Sequence, residues 1–150
     1  MRSVVQRVSE ARVRIDDRVV AEIGRGLLVL LGVGRDDGQA DVAYTVGKIC
    51  DMRVFEGENG RHMDRSVRDV GGAVLLVSQF TLYGDIRKGR RPAFDAAAPP
   101  AEARALYESV VRELRAAKLS VATGEFQAMM HVELVNDGPV TVLVDSKRLF

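Results

Sequence analysis

Cysteine is almost absent: Cys50 is the only one, so no disulfide can form within the chain. A cytoplasmic setting fits that scarcity best. Histidine is nearly as rare, with only His62 and His131 available as imidazole bases or metal ligands. No apolar run reaches membrane length, and the opening MRSVVQRVSEARV carries a charge every few residues. It reads as neither a signal peptide nor a membrane span. A large net charge is missing too: 22 basic and 21 acidic side chains leave +1. That argues against non-specific binding to long nucleic acid, which needs a broad basic field, but leaves room for a grip on a short RNA end.

What is present is ordinary for a globular chain, 47% hydrophobic and 29% charged over 150 residues. That length can bury a core without disulfide staples and corresponds to a single domain, 1–150, with a short tail at 146–150. SVVQRVSEARVRIDDRVVAEI alternates polar with apolar residues around an Asp16-Asp17 turn, as β-structure does. Gly26 to Val33 is a continuous apolar run, the mark of a strand covered on both faces. The period then changes: Val42, Ala43, Val46, Ile49 and Cys50 fall on one helical face, which makes Cys50 a packing residue rather than a nucleophile.

MRVFEGENGRHM reads as a short strand, a turn at Glu58-Asn59-Gly60 and a return, and GGAVLLVSQFTL as a second buried strand ending in polar residues. A second helix starts at Pro99-Pro100, with Ala103, Leu106, Tyr107, Val110, Val111 and Leu114 as its buried stripe. Phe126, Ala128, Met130, Val132 and Leu134 alternate onto one face of a further strand. LVNDGPVTVLV, Leu134 to Val144, reads as a hairpin with Asn136-Asp137-Gly138-Pro139 at its bend. The expected fold is a mixed, sheet-dominated α/β domain with a mostly antiparallel sheet and two principal helices.

The usual catalytic groupings are not present. Neither histidine has a serine in a strand-to-helix elbow nearby, and one Cys with two scattered His lacks the spacing of a metal site. No metal and no cofactor are expected. GVGRDDG lacks the residues of a phosphate-binding loop. Two stretches remain. SQFTLYGD, Ser78 to Asp85, places polar residues where a buried strand stops, either a site or a strand leaving the core. DIRKGRRPAF clusters Arg87, Lys88, Arg90 and Arg91, either a solvated loop or a phosphate contact.

SQFTL and NDGPVT, taken together, resemble the D-aminoacyl-tRNA deacylase family. The likeness runs in order through VVQRVSEARV, AEIGRGLLVLLGV, GGAVLLVSQFTL, KGRRPAF and MMHVELVNDGPVT, leaving only the tail from Asp145 without a counterpart. It implies a homodimeric hydrolase that cleaves the ester joining a D-amino acid, or glycine, to the terminal adenosine of tRNA, with no membrane or DNA partner. It implies a cis Gly138-Pro139 pair reaching into the partner's site and rejecting L side chains by clash, with Arg7 as its brace. Ser78, Gln79, Phe80 and Thr81 would form the pocket, with backbone N–H groups near Phe80 and Thr81 holding the ester carbonyl. Met130 would lie beside the adenosine, Asn136 belongs to the Gly-Pro motif, and Lys88, Arg90 and Arg91 would contact the tRNA.

Thr81 lacks an evident base, so the likeness favours attack by water that the substrate's own 2′-hydroxyl orients. Two other readings stay open at this level: an RNA-end binding module without turnover, and a metal-dependent hydrolase using the two histidines.

Overall fold

The computed structural model describes residues 1–150. Its order is β1 (Arg2–Ile15), β2 (Arg18–Ile23), β3 (Gly26–Gly32), α1 (Gln39–Asp51), β4 (Ala73–Ser78), a 3₁₀ turn (Phe80–Tyr83), α2 (Pro100–Ala116), β5 (Ser120–Thr123) and β6 (His131–Asp145). β1 and β2 form a hairpin whose two turn residues, Asp16 and Asp17, take φ of 47° and 61°. Short polar side chains tolerate that region, and two such residues give a turn whose twist suits a hairpin.

All six strands join one sheet, and β1 is its hub. Its first half pairs with β3 and its second half with β2, while β6 runs antiparallel along its opposite edge. β3–β4 and β4–β5 are parallel. The sheet is therefore mixed, not mostly antiparallel. The cause is connectivity: α1 lies between β3 and β4, and α2 between β4 and β5, and a crossover of that length returns a strand in the same direction.

The core lies on both faces of β3 and β4. On the helix side, Leu27, Val29, Val74 and Leu76 meet Val42, Ile49, Val110 and Leu114. On the other side, Leu28, Leu75 and Val77 meet Val8, Val13 and Ile23, because the outer half of β1 and β2 curls back over the sheet. A Leu such as Leu114, fully buried, contributes roughly 1.5–3 kcal/mol through its burial. Tyr107 ties α2 to the sheet, its hydroxyl donating to the Leu76 carbonyl at 2.9 Å, and burial pushes its pKa up to about 12.

Several local expectations change. Ala43 is exposed; Asp41 and Thr45 join the buried face of α1 instead, and Cys50 is buried as expected. The return after Glu58 pairs through a single bridge, Phe55 with Arg65, and forms no strand. Residues 124–130 are loop, and β6 begins only at His131. The largest change is at Asn136–Pro139. There is no hairpin. β6 continues through these residues as one strand, and the register against β1 shifts between Val8↔Asn136 and Gln6↔Thr141. Asp137, Gly138, Pro139 and Val140 stand opposite Arg7 alone, so the motif is a bulge that leaves the ladder and rejoins it.

Candidate active site

Two clusters carry the polar features that the hydrophobic core does not explain. The first is where β4 stops. The Gln79 N–H donates to the Leu31 carbonyl at 2.7 Å, extending the parallel ladder by one bond. The chain then tightens into the Phe80–Tyr83 turn, closed by Leu82 N–H to Gln79 O at 3.2 Å and Gly84 N–H to Thr81 O at 2.9 Å. The opening N–H groups of such a turn, those of Phe80 and Thr81, have no acceptor inside it. No hydrogen bond outside the regular elements uses them. Two backbone donors thus stand free at the carboxyl end of a buried parallel strand. Phe80 is 58% exposed beside them, its ring edge-on to Phe94 with centroids 4.9 Å apart. The Gln79 amide Nε2 donates to the Thr81 hydroxyl. An amide N–H cannot take up a proton, so this contact orients Thr81 without activating it.

The turn is braced from β1. Arg2 Nη1 donates to the Leu82 carbonyl at 3.3 Å, its guanidinium lies 4.6 Å from the Tyr83 ring centroid, and its Nε donates to Asp145 at 3.0 Å. The Tyr83 hydroxyl donates to Asp37 at 3.4 Å. Burial, then the Asp37 carboxylate, raise the Tyr83 pKa above its usual value, so the phenol stays protonated. Gly34 permits this approach, since a Cβ there would lie 2.7 Å from the Tyr83 oxygen. Sequence patterning marked Tyr83 only as part of SQFTLYGD and did not mark Arg2. A basic residue opening a strand was the only available signal.

The second cluster is the bulge. Arg7 Nε donates to the Asp137 carbonyl at 2.8 Å, and its Nη1 donates to the Val54 carbonyl. The Asn136 side chain closes the bulge from within: Nδ2 donates to Val140 O at 3.0 Å and to Arg7 O at 3.3 Å, while Oδ1 accepts from Val140 N–H at 3.2 Å. Side-chain bonds thus replace the ladder bonds that the bulge breaks. Gly138 has φ +152°, and a Cβ there would lie 2.7 Å from Val140 N and 3.1 Å from Arg7 Nη2. Only glycine meets both conditions. The Gly138–Pro139 peptide bond is cis, and both residues are exposed.

The structure does not bring the two clusters together in one chain. Ser78 aligns with Leu31 and thence with Ser3, whereas the bulge stands opposite Arg7. Three strand steps across and four residues along place them roughly 20 Å apart. Met130 sits on neither. It is half-buried in the loop before β6, its sulfur against Gly124, where a Cβ would lie 2.6 Å away.

The basic loop is a separate feature, closed by Asp85 pairing with Ala93. Arg87 folds back on Asp85 at 2.6 Å, and that hydrogen-bonded pairing pulls the Asp85 pKa down to about 2. Lys88, Arg90 and Arg91 stay exposed. His62 and His131 are both exposed, and neither belongs to a group of three or more His, Cys, Asp or Glu placed to hold a metal ion.

Residues 4–145 match the family model described as D-Tyr-tRNA(Tyr) deacylase. Curated relatives named D-aminoacyl-tRNA deacylase include one from Koribacter versatilis, 62% identical over 150 residues and covering all of both chains. Others are from Anaeromyxobacter dehalogenans, 60% identical, and Thermotoga petrophila, 56% identical, both over the full length of each chain. A solved structure described as c-Myc DNA Unwinding Element Binding Protein superposes with a TM-score of 0.92 at 41% identity, over 97% of this chain and 98% of that one. A second, described as a probable eukaryotic D-amino acid tRNA deacylase, has a TM-score of 0.81 over 95% and 97%. At 19% identity it speaks for the fold alone.

Proposed function

The chain belongs to the D-Tyr-tRNA(Tyr) deacylase family and is an aminoacyl-tRNA deacylase, and from that premise we propose which ester it cleaves and how. The substrate is tRNA carrying a D-amino acid or glycine on its terminal adenosine. Water attacks the ester carbonyl, the bond to the ribose oxygen breaks, and the ribose oxygen leaves with a proton. The observation that carries this reading is the pair of free N–H groups at Phe80 and Thr81. Donors fixed in place before reaction stabilise the charge that develops on the carbonyl oxygen without a titrating side chain. Ser78 and Gln79 lead the chain into that position, and Phe80 offers a face for the adenine. Met130 contributes from the neighbouring loop. The hydroxyl of Thr81 meets an amide rather than a base, so the attacking water is oriented by the substrate's 2′-hydroxyl.

Selection against L esters belongs to Gly138 and Pro139. Arg7 and Asn136 hold the bulge from two sides, and fixed backbone oxygens exclude by clash. Glycine has no side chain to exclude, so it passes. A separation of roughly 20 Å along and across the strands is too wide for one ester to meet both clusters in a single chain. A homodimer in which each bulge enters its partner's pocket resolves this. β6 supports that arrangement: it is an edge strand, with Leu134, Val135 and Leu143 exposed, and such an edge is ordinarily covered. Lys88, Arg90 and Arg91 contact the tRNA backbone. DNA, which the name of one structural relative mentions, fits this chain less well, because a net charge of +1 gives little field for a duplex.

The test is amino-acid release from matched D-Tyr-, L-Tyr- and Gly-charged tRNA, by wild type and Pro139→Ala. The expected wild type cleaves the D and Gly esters and spares the L ester, and the variant loses that distinction. Absence of cleavage at enzyme excess would favour a non-catalytic RNA-end binder. Loss of activity on adding a chelator would favour a metal-dependent hydrolase.

A further inference from the structure

A groove runs between α2 and the segment that follows β5. It encloses about 680 Å³ and is lined by Arg104, Glu108, Arg112, Arg115, Glu125 and Phe126 among others. None of the three arginines is ion-paired, although two carboxylates share the groove. Each guanidinium is steadied by a neutral partner. Arg104 lies 4.9 Å from the Phe126 ring centroid, Arg112 donates to the Ser109 hydroxyl at 2.7 Å, and Arg115 donates to the Val121 carbonyl at 3.2 Å. A guanidinium carries five N–H donors, so most remain available to a ligand. At a helical rise of 1.5 Å per residue, the row from Arg104 to Arg115 spans about 16 Å, enough for several phosphates of one strand.

The groove lies toward the same end of the sheet as the free N–H pair. β5 is parallel to β4, with Thr123 opposite Leu76, and the Gly124 N–H donates to the Leu76 carbonyl at 3.3 Å. The chain beyond Gly124 therefore borders the carboxyl end of β4, where Ser78 leads into the Phe80–Tyr83 turn. Ligands of parallel sheets gather at that end.

We propose that this groove holds the single-stranded 3′ end of the tRNA just upstream of the esterified nucleoside, with its phosphates on Arg104, Arg112 and Arg115. The inference rests on the deacylase reading and adds where the RNA runs. The two glutamates favour RNA over a bare polyanion. Carboxylates accept hydrogen bonds from ribose 2′-hydroxyls and base amines, whereas against phosphate alone they only repel.

The experiment compares kcat/KM on D-Tyr-tRNA with kcat/KM on D-tyrosyl-adenosine, which has no phosphate, for wild type and the double variant Arg112→Gln/Arg115→Gln. The expected tRNA-to-nucleoside ratio falls roughly 10- to 30-fold near 0.1 M salt, and the slope of log KM against log salt shallows by about 1.4. The charge-keeping pair Arg112→Lys/Arg115→Lys restores most of the slope. An unchanged ratio, including equal losses on both esters, overturns the proposal while the deacylase reading stands. Wild type that cleaves neither ester overturns both.

Discussion

Arg7 on β1 and Asp137 on β6 meet twice: Arg7 Nε donates to the Asp137 carbonyl at 2.8 Å and lies 3.5 Å from its carboxylate. The first contact holds the backbone at the entrance to the bulge, directly before Gly138. An arginine fork reaches Val54 with another nitrogen at the same time, so one side chain fixes the bulge against both its strand partner and the loop after α1.

Arg7→Ala is therefore expected to loosen the bulge more than the fold. Losing a hydrogen bond from a charged donor costs about 1.5–3 kcal/mol, which this domain should survive. The ratio of D- to L-ester cleavage should drop at least tenfold, and Arg7→Lys should recover part of it. Initial rates on both charged tRNAs, with a melting curve for each variant, check this. Unchanged discrimination in a folded variant would remove Arg7 from the selection apparatus.

Thr81→Ala should retain activity within about tenfold of wild type, because the donors at this position are backbone groups and survive truncation of the side chain. A folded variant that lost activity by three orders of magnitude would instead point to Thr81 as the nucleophile.

Arg2→Met keeps the length of the side chain but removes its bonds to Leu82 and Asp145. Asp145 is 4% exposed and would lose its charged partner, at a cost of about 2–3 kcal/mol. The expected result is a lower melting temperature together with a fall in kcat and little change in KM, since the turn is displaced while the RNA contacts are intact. Arg2→Met/Asp145→Asn should recover much of the stability but not the rate, because the bond to Leu82 stays absent.

Asp41 gives the fold a defined acid sensitivity. Burial alone would raise its pKa, but bonds from Lys147, Ser146 and the Gly38 N–H, with the nearby α-ammonium, hold it well below 3.8. A depressed folded pKa stabilises the protein above the unfolded value and ceases to do so as pH falls through the folded one. Asp41→Asn should melt lower than wild type at pH 7, and the gap should narrow as pH drops below about 4. Melting temperatures of both proteins between pH 2 and 7 measure it, and a gap independent of pH would contradict the assignment.

The sequence revealed elements whose signal is local. The Asp16-Asp17 turn, the doubly covered β3 and the start of α2 at the paired prolines all lie within a few residues of their cause. Asn136–Pro139 misled because Asn, Asp and Gly serve hairpins and bulges equally. Only the pairing with β1, some 130 residues earlier in sequence, separates the two. The direction of β4 and β5 depended on weighing α1 and α2 as crossovers. Phe126–Met130 alternates like a strand and is loop, with Phe126 anchored by Tyr107 at 5.9 Å and by Arg104. In the site, polar residues ending β4 were visible as residue types, but free N–H groups have no letter in the sequence. Neither does the Val54 carbonyl that receives Arg7.

The pairing of β1 with β6 also governs when the molecule can become itself. Synthesis at about 5–20 residues per second separates the two strands by roughly 7 to 26 s. Throughout that interval the hub strand has one unpaired edge, and Arg7 has no Asp137 to meet. Arg7 and the bulge it holds therefore come together only late in synthesis.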